Sequence, residues 1–430
     1  MNQTIHPAAR LKGTIQLPPD KSISHRAALF AALHEDRSEI KNFSVADDPQ
    51  STLRVLDNLG VGISSPQKNV IIVDGLGRNG FTDTNTILDC GNAGTLMRLI
   101  SGILGGAGIK ATLTGDDSLR SRTMKRIIEP LQQMNITITG RDGNYAPLKL
   151  SGTASVAAID FELPIPSAQL KSCVLLAGLF GDESTHVIEP IPSRDHTERM
   201  LALPITTKEG KTIITSNKDV PVPNQSITIP GDFSAAAFWL VAGSIVPDST
   251  IRLKNVGLNP SRIAVLEILQ QMGADITISN RTDSAKEPSG DLTIRTAKLT
   301  PYAVPGHLIP NCIDELPILA VAMACADGTS ELRGAGELRH KETDRIAAMA
   351  DVLGRAGVEF EEYADGFKIY GTSEFQPKSA EYKSYHDHRI AMAASIIALK
   401  AGKKSTILHA ECASISYPNF YNHLAELSYS

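Results

Sequence analysis

No apolar run in this chain approaches a membrane span. One of the longest, Ala235–Val246, is far short of the about 20 residues that spanning takes. Met1–Leu11 contains no apolar signal-peptide core. Cysteine is scarce: Cys90, Cys173, Cys312, Cys325 and Cys412 are odd in number, scattered, and never form a Cys-x-x-Cys pair. That excludes a zinc ribbon and a disulfide framework, and predicts buried, reduced thiols in a cytoplasmic protein. There is no HExxH pair, no GxSxG elbow and no Gly-rich loop ending in Lys-Ser/Thr. Zinc-protease, serine-hydrolase and P-loop chemistry are thereby excluded. Charge of one sign is also lacking. A net charge of −5 excludes a general nucleic-acid or acidic-membrane binder. No low-complexity tract or heptad run is present. What remains is an ordinary globular composition, 42% hydrophobic and 21% charged over 430 residues, enough for two large domains.

Within that ordinary composition a pattern recurs. Six times a short polar cluster runs into an apolar, alanine-rich helix pattern: Asp20–Arg26, Gly91–Thr95, Ser167–Ser172, Gly231–Ser234, Ile313–Glu315 and His386–Arg389. The spacing is roughly 60–85 residues, longer than the usual solenoid period. Each cluster places cap-type residues, and often a cation, where a helix should begin. A helix N-terminus presents unpaired N–H groups and the positive end of a dipole, so it suits phosphate or carboxylate. Six such ends imply a protein organised around a strongly anionic small molecule.

A second repeat runs out of phase. Leu53–Gly60, Ile127–Asn135, Val265–Gly273 and Ile346–Gly357 each show helical spacing of apolar residues ending at Gly or Asn, with a β-rich stretch following. Gly or Asn is what a left-handed helix C-cap needs. The unit reads strand, apolar helix, strand, amphipathic helix, strands. Thr14–Asp20 also resembles Ser226–Asp232: an alternating strand, a proline break, then an Asp-capped helix. Two similar domains are therefore expected, one spanning 20–230 and the other from 231 to 430, with 1–19 assignable to either. Thr207–Asp219 and Asn280–Asp291, polar and rich in turn residues, read as loops.

The clusters differ in chemical content. Lys21 and Arg26 sit at a helix start, where the dipole disfavours cations, so an anion that offsets them is expected; a solvated basic face is the plainer alternative. Gly91-Asn92-Ala93-Gly94-Thr95 lets backbone approach a ligand closely, or is a simple glycine turn. In Glu337–Arg345, Lys341 and Arg345 are four apart and are expected to share a helix face, with Glu342 pointing about 100° away. Asp314 reads locally as an N-cap of an apolar helix over 316–323, and Asp387 as a cap of a helix over 390–399. His386, Asp387 and His388 have no metal-ligand spacing, so no metal is expected.

Taken together and in order, these segments resemble the 5-enolpyruvylshikimate-3-phosphate synthase family of enolpyruvyl transferases. The resemblance runs nearly end to end. It rests on Leu17–Arg26, Gly91–Arg98, Leu113–Asp116, Ser167–Gln169 with Lys171-Ser172, Ser193–Met200, Pro230–Ala235, Ile313–Pro317, Glu337–Arg345 and Asp387–Arg389. It implies an α/β fold of two domains, each of three βαβαββ repeats in an inside-out α/β barrel, with the active site in the interdomain cleft and with 1–19 joined to 231–430. It implies transfer of the carboxyvinyl group of phosphoenolpyruvate to the 5-hydroxyl of shikimate 3-phosphate, on the route to chorismate and aromatic amino acids. No cofactor, no metal, no nucleic acid and no membrane is implied, and the protein is expected to be a cytoplasmic monomer.

The resemblance also assigns residues. Lys21, Ser22, Arg26, Ser167, Ala168, Gln169, Ser193, Asp314, Glu337 and Lys341 should hold shikimate 3-phosphate. Lys21, Asn92, Gly94, Arg122, Gln169, Arg345 and Arg389 should hold phosphoenolpyruvate. Asp314 is the expected base, and Glu342, Lys21 and His388 are the candidate proton donors. In two places the chain departs from the family pattern. Ile415 stands where a lysine usually precedes the Ser416-Tyr417-Pro418 motif, and Leu99 replaces a frequent proline. A UDP-N-acetylglucosamine enolpyruvyl transferase is the nearest rival, but no cysteine lies between 91 and 172, where its catalytic loop would carry one. A catalytically impaired anion-binding relative is the other.

Overall fold

The six apolar helices are the spine of the molecule. In a computed structural model that describes residues 1–84, 86–152 and 155–428, they run Lys21–Leu33, Gly94–Gly106, Ala168–Gly178, Phe233–Ile245, Leu316–Ala324 and His388–Ala398. Each begins at one of the six polar clusters. Phe233–Ile245 and Leu316–Ala324 are buried along their whole length, as expected of helices that are apolar on every side. In the other four the unburied residues are Lys21 and Ser22, Thr95 and Arg98, Ala168 and Gln169, and Arg389. Only their N-terminal turns reach the surface, so these four helices present backbone N–H groups together with the side chains just named.

Local chemistry sets those starts. Side-chain oxygens of Asp20, Ser167, Asp232 and Asp387 accept from backbone N–H groups of the first turn. The expected cap at Asp314 is absent. The helix Leu316–Ala324 is entered through Glu315 without a side-chain cap, and Pro317 in its first turn removes one N–H that would need a partner. The Asp314 carboxylate is thus directed elsewhere. The stretch 341–345 is also not one helix. A 3-10 turn over Gly336–His340 ends before Lys341, and a new helix, Arg345–Ala356, starts where Asp344 accepts from Ile346 and Ala347 N–H, both at 3.1 Å.

Four amphipathic helices close in the expected way. Gly60, Asn135, Gly273 and Gly357 follow or cap Asp47–Asn58, Lys125–Gln133, Ala264–Gln271 and Arg345–Ala356 with φ of 85°, 62°, 89° and 92°. The left-handed region is open to glycine and tolerated by asparagine.

Among the described residues the strands form six small sheets, five of four strands and one of three. Each holds a parallel pair, as a helix crossover requires, with antiparallel neighbours. Ile87–Asp89 and Lys110–Thr114, for example, pair in parallel around the helix Gly94–Gly106. Two pairs are formed by exchange. Lys12–Gln16 pairs with Thr250–Gly257, and Ile227–Thr228 pairs with Arg37–Lys41. The two segments read as loops are hairpins: Ile205–Lys208 with Lys211–Ser216, and Asp275–Ser284 with Glu287–Arg295. Their polar residues mark tips, where Glu209, Ala285 and Lys286 take positive φ.

The chain divides into two compact units, one of residues 1–18, 230–282 and 288–430, the other of 19–229 with 283–287. Each has its own apolar core. In the first, Trp239 packs on Tyr417 and Phe420 and donates to the Tyr417 hydroxyl at 2.9 Å. All five cysteines are buried and unpaired as disulfides. Among the described residues no single helix is long and apolar enough to cross a membrane.

Candidate active site

In the 19–229 unit three helix starts carry the expected groups. Lys21 opens its helix, and its ammonium lies 2.9 Å from Asp48 Oδ2. Burial pushes the Asp48 carboxyl up, but the charge and hydrogen bond of Lys21 outweigh it and leave the pKa below the ordinary value. Arg26, one turn further on, is buried. It donates to Ser22 O (3.1 Å), Thr197 Oγ1 (2.8 Å) and Ser172 Oγ (3.2 Å). Those three partners are neutral oxygens, and burial lowers its pKa to about 10. His25, between them, is fully buried with Nδ1 at 2.6 Å from Thr52 Oγ1, and burial lowers its pKa to about 3.

At the second start Gly94 makes room for two guanidinium groups. A Cβ there would lie 2.9 Å from Arg98 Nη1 and 3.4 Å from Arg122 Nη1. Arg122 donates to Asn92 Oδ1 at 2.6 Å, and Asn92 in turn donates to Asp116 at 2.7 Å. At the third start Ser167 caps the helix, and Gln169 links back to the second. It accepts from Arg98 at 2.7 Å and donates to Thr95 Oγ1 at 2.9 Å. Burial, then the charges of Arg126 and Arg122, lower the Arg98 pKa to about 10. Ser193 donates to Glu189 Oε1 through both N–H (3.2 Å) and hydroxyl (2.5 Å). Ala168 is the first residue of its helix. This half is a set of cations and N–H groups with few directly paired acids, and it suits anions.

The other unit mixes signs. Arg345, buried at the start of its helix, reaches Asp387 Oδ2 at 2.8 Å, Glu342 Oε2 at 2.6 Å and Asp314 Oδ1 at 3.5 Å. Burial disfavours its charge, but these carboxylates more than offset that and raise its pKa. Lys341 lies 3.0 Å from Glu337 and 3.6 Å from Asp314. Arg389 lies 3.6 Å from Glu315, which accepts from Ser234 Oγ; Arg262 donates to that hydroxyl at 2.6 Å. His388 is buried at the first position of its helix. Asp314 therefore lies within ion-pair reach of two cations, one of which, Arg345, also binds Glu342. Such a cluster can both hold an anion and exchange a proton with it. Ile415 ends the 3-10 turn Ala410–Ile415 and is exposed.

The expected residues thus gather into two groups, one per unit. In the first unit named they are Lys21, Ser22, Arg26, Asn92, Gly94, Arg122, Ser167, Ala168, Gln169 and Ser193. In the other they are Asp314, Glu337, Lys341, Glu342, Arg345, His388 and Arg389. Sequence reasoning missed the acids that hold the cations, Asp48 and Asp387, and missed Arg98. Asp387 appeared only as a helix cap, yet it serves Arg345 as well. Arg98 was readable as the residue one turn after Gly94. Asp48 carried no local signal for Lys21, because their pairing spans separate helices.

Among the described residues no group of three or more His, Cys, Asp and Glu is placed to hold a metal ion. Residues 5–424 match the family described as EPSP synthase (3-phosphoshikimate 1-carboxyvinyltransferase). A 3-phosphoshikimate 1-carboxyvinyltransferase of Salinibacter ruber is 48% identical over 100% of both chains, and one of a Synechococcus species 46% identical over 99% of this chain and 96% of that one. The solved EPSP synthase of Acinetobacter baumannii superposes with a TM-score of 0.91 at 37% identity, over 99% of this chain and 98% of that one. The enolpyruvyl transferase NikO of Streptomyces tendae shares the fold, with a TM-score of 0.75 at 16% identity over 99% and 96% of the two chains. By the match along its whole length, this chain belongs to the EPSP synthase family.

Proposed function

We infer that the protein transfers the carboxyvinyl group of phosphoenolpyruvate to the 5-hydroxyl of shikimate 3-phosphate and releases inorganic phosphate. The observation that carries this reading is Asp314, a carboxylate within ion-pair reach of both Lys341 and Arg345, in a chain that matches this family from end to end. Together the two substrates carry two phosphates and two carboxylates. Lys21, Arg26, Arg122, Lys341, Arg345 and Arg389 supply cations for them, and the starts at Gly94 and Ala168 supply N–H groups.

In this reading shikimate 3-phosphate is held by Lys21, Ser22, Arg26, Ser167, Ala168, Gln169, Ser193, Asp314, Glu337 and Lys341. Phosphoenolpyruvate is held by Lys21, Asn92, Gly94, Arg122, Gln169, Arg345 and Arg389. Asp314 removes the 5-hydroxyl proton as oxygen attacks the enol carbon. Glu342 or Lys21, with His388 as the third candidate, protonates the methylene carbon. The resulting tetrahedral ketal phosphate loses phosphate and a methyl proton to restore the vinyl group. The residues assigned to each substrate come from both units, so adding shikimate 3-phosphate is expected to compact the particle in small-angle scattering. A cytoplasmic monomer is proposed alongside this reading, and light scattering on eluting protein tests the first half of that. The direct test is phosphate release. Shikimate 3-phosphate with phosphoenolpyruvate should give turnover, and UDP-N-acetylglucosamine in its place should give none. The reverse result would refute the assignment.

A further inference from the structure

Behind the shikimate 3-phosphate side of the 19–229 unit lies a charge cluster that no step above uses. Lys171, in the first turn of the helix Ala168–Gly178, has a fully buried side chain. Its ammonium binds two carboxylates, Glu189 Oε2 at 2.9 Å and Glu198 Oε1 at 2.6 Å, both themselves buried. Burying three charged groups is a poor way to stabilise a fold, since apolar residues of similar volume do as well or better. The arrangement calls for another role.

Its connections supply one. Glu189 offers its other oxygen to the N–H and hydroxyl of Ser193. Glu198 lies in the short helix His196–Met200 next to Thr197, and Thr197 Oγ1 accepts from Arg26. Ser172, next to Lys171, lies 2.6 Å from Thr197 Oγ1 and also accepts from Arg26. Glu198 exerts the largest attraction of any acid on the buried Arg26, yet the hydrogen bonds that fix Arg26 end on neutral oxygens.

We propose that Lys171 is a positioning residue: by binding Glu189 and Glu198 it holds Ser193 in place and keeps Glu198 from taking Arg26, so that the Arg26 charge is reserved for shikimate 3-phosphate. This rests on the substrate assignment made above. Without the ammonium, Glu198, whose carboxyl burial already pushes up, keeps its charge only by pairing with Arg26, and so competes with the substrate. Phosphoenolpyruvate, assigned to other residues except Lys21 and Gln169, is little affected.

The test uses steady-state kinetics on the full chain, with each substrate varied in turn. Lys171→Met should raise KM for shikimate 3-phosphate at least about tenfold and leave KM for phosphoenolpyruvate within about twofold. Lys171→Met combined with Glu198→Gln, which removes the competing charge but leaves Glu189 without its cation, should recover part of that loss. An equal rise in both KM values, no rise, or no recovery in the double variant would each overturn the proposal. If Lys171→Met does not fold, Glu189→Gln serves. It buries no unpaired carboxylate but sets an amide where an anion met Lys171, and an unchanged KM for shikimate 3-phosphate would then overturn the proposal. Arg26→Met separates the two layers of inference: if it leaves that KM unchanged, the substrate assignment fails, whatever Lys171 does.

Discussion

Asp387 holds two structures together at once, and replacing it with asparagine separates them. Its Oδ1 caps the helix His388–Ala398 by accepting from Arg389 N–H at 2.8 Å, and its Oδ2 receives Arg345 Nε at 2.8 Å. Asparagine still caps a helix well, so Asp387→Asn should spare the cap and remove only the charge. The pair is buried on both sides, with side-chain exposures of 1% and 0%. Removing one member of such a pair costs about 3–5 kcal/mol, because the other charge is left uncompensated. Arg345 retains Glu342 at 2.6 Å, a half-exposed partner, so the lower end, about 3 kcal/mol, is expected. Glu342→Gln should cost well under about 1 kcal/mol, since that carboxylate is open to water. Asp387→Ala should cost about 1 kcal/mol more than Asp387→Asn, the worth of the cap. The assay is urea denaturation followed by the fluorescence of Trp239, the chain's one tryptophan. It is buried in the core of the same unit. In parallel, a loosened Arg345 should raise KM for phosphoenolpyruvate by about 10–100-fold, the equivalent of about 1.4–2.8 kcal/mol. If Asp387→Asn costs no more than Glu342→Gln, burial is not what gives this pair its weight, and the reasoning fails.

Other predictions follow from single sites. Burial keeps His25 neutral in the folded protein, with its pKa lowered from 6.5 to about 3. The unfolded chain therefore binds the proton first, and stability falls as pH drops below 6.5 toward 3. By pH 5 the loss should reach about 2 kcal/mol, and His25→Gln should flatten that slope in denaturation followed by circular dichroism. Ile415→Lys should lower KM for phosphoenolpyruvate by restoring the cation usual in the family; an unchanged KM refutes that role. Gly357→Ala should destabilise by about 1 kcal/mol or more, because the backbone there holds φ at 92°. Thermal melting would show no shift if that glycine were incidental. Asn92→Ala should remove one of the three oxygens that Arg122 donates to and raise KM for phosphoenolpyruvate several-fold, leaving KM for shikimate 3-phosphate in place.

Much of the fold was legible because caps and periodicity are short-range. Asp20 accepts from a residue three positions on, and Asp387 from residues two and three positions on. A local pattern of cap, apolar run and Gly or Asn stop reports on contacts of that reach. Where the reading failed it also failed locally. Asp344 competes for the helix start and splits Lys341 from Arg345, and Pro317 removes the need for a cap at Asp314. The polar stretches that read as loops are mostly paired strand around two-residue tips, because turn residues look alike whether or not strands flank them.

From its own residues, then, the chain determined where the six helices begin and that helix starts of this kind favour anions. Each of these depends on atoms a few positions apart. Only the tertiary structure decided which charge meets which. Lys21 finds Asp48 27 positions away, Arg345 finds Asp387 42 positions away, and Arg98 finds Gln169 71 positions away. It also decided that Lys12–Gln16 pairs with Thr250–Gly257 across most of the domain between them. Such partners are chosen by how helices and sheets stack, and stacking leaves no mark in the spacing of the residues it brings together.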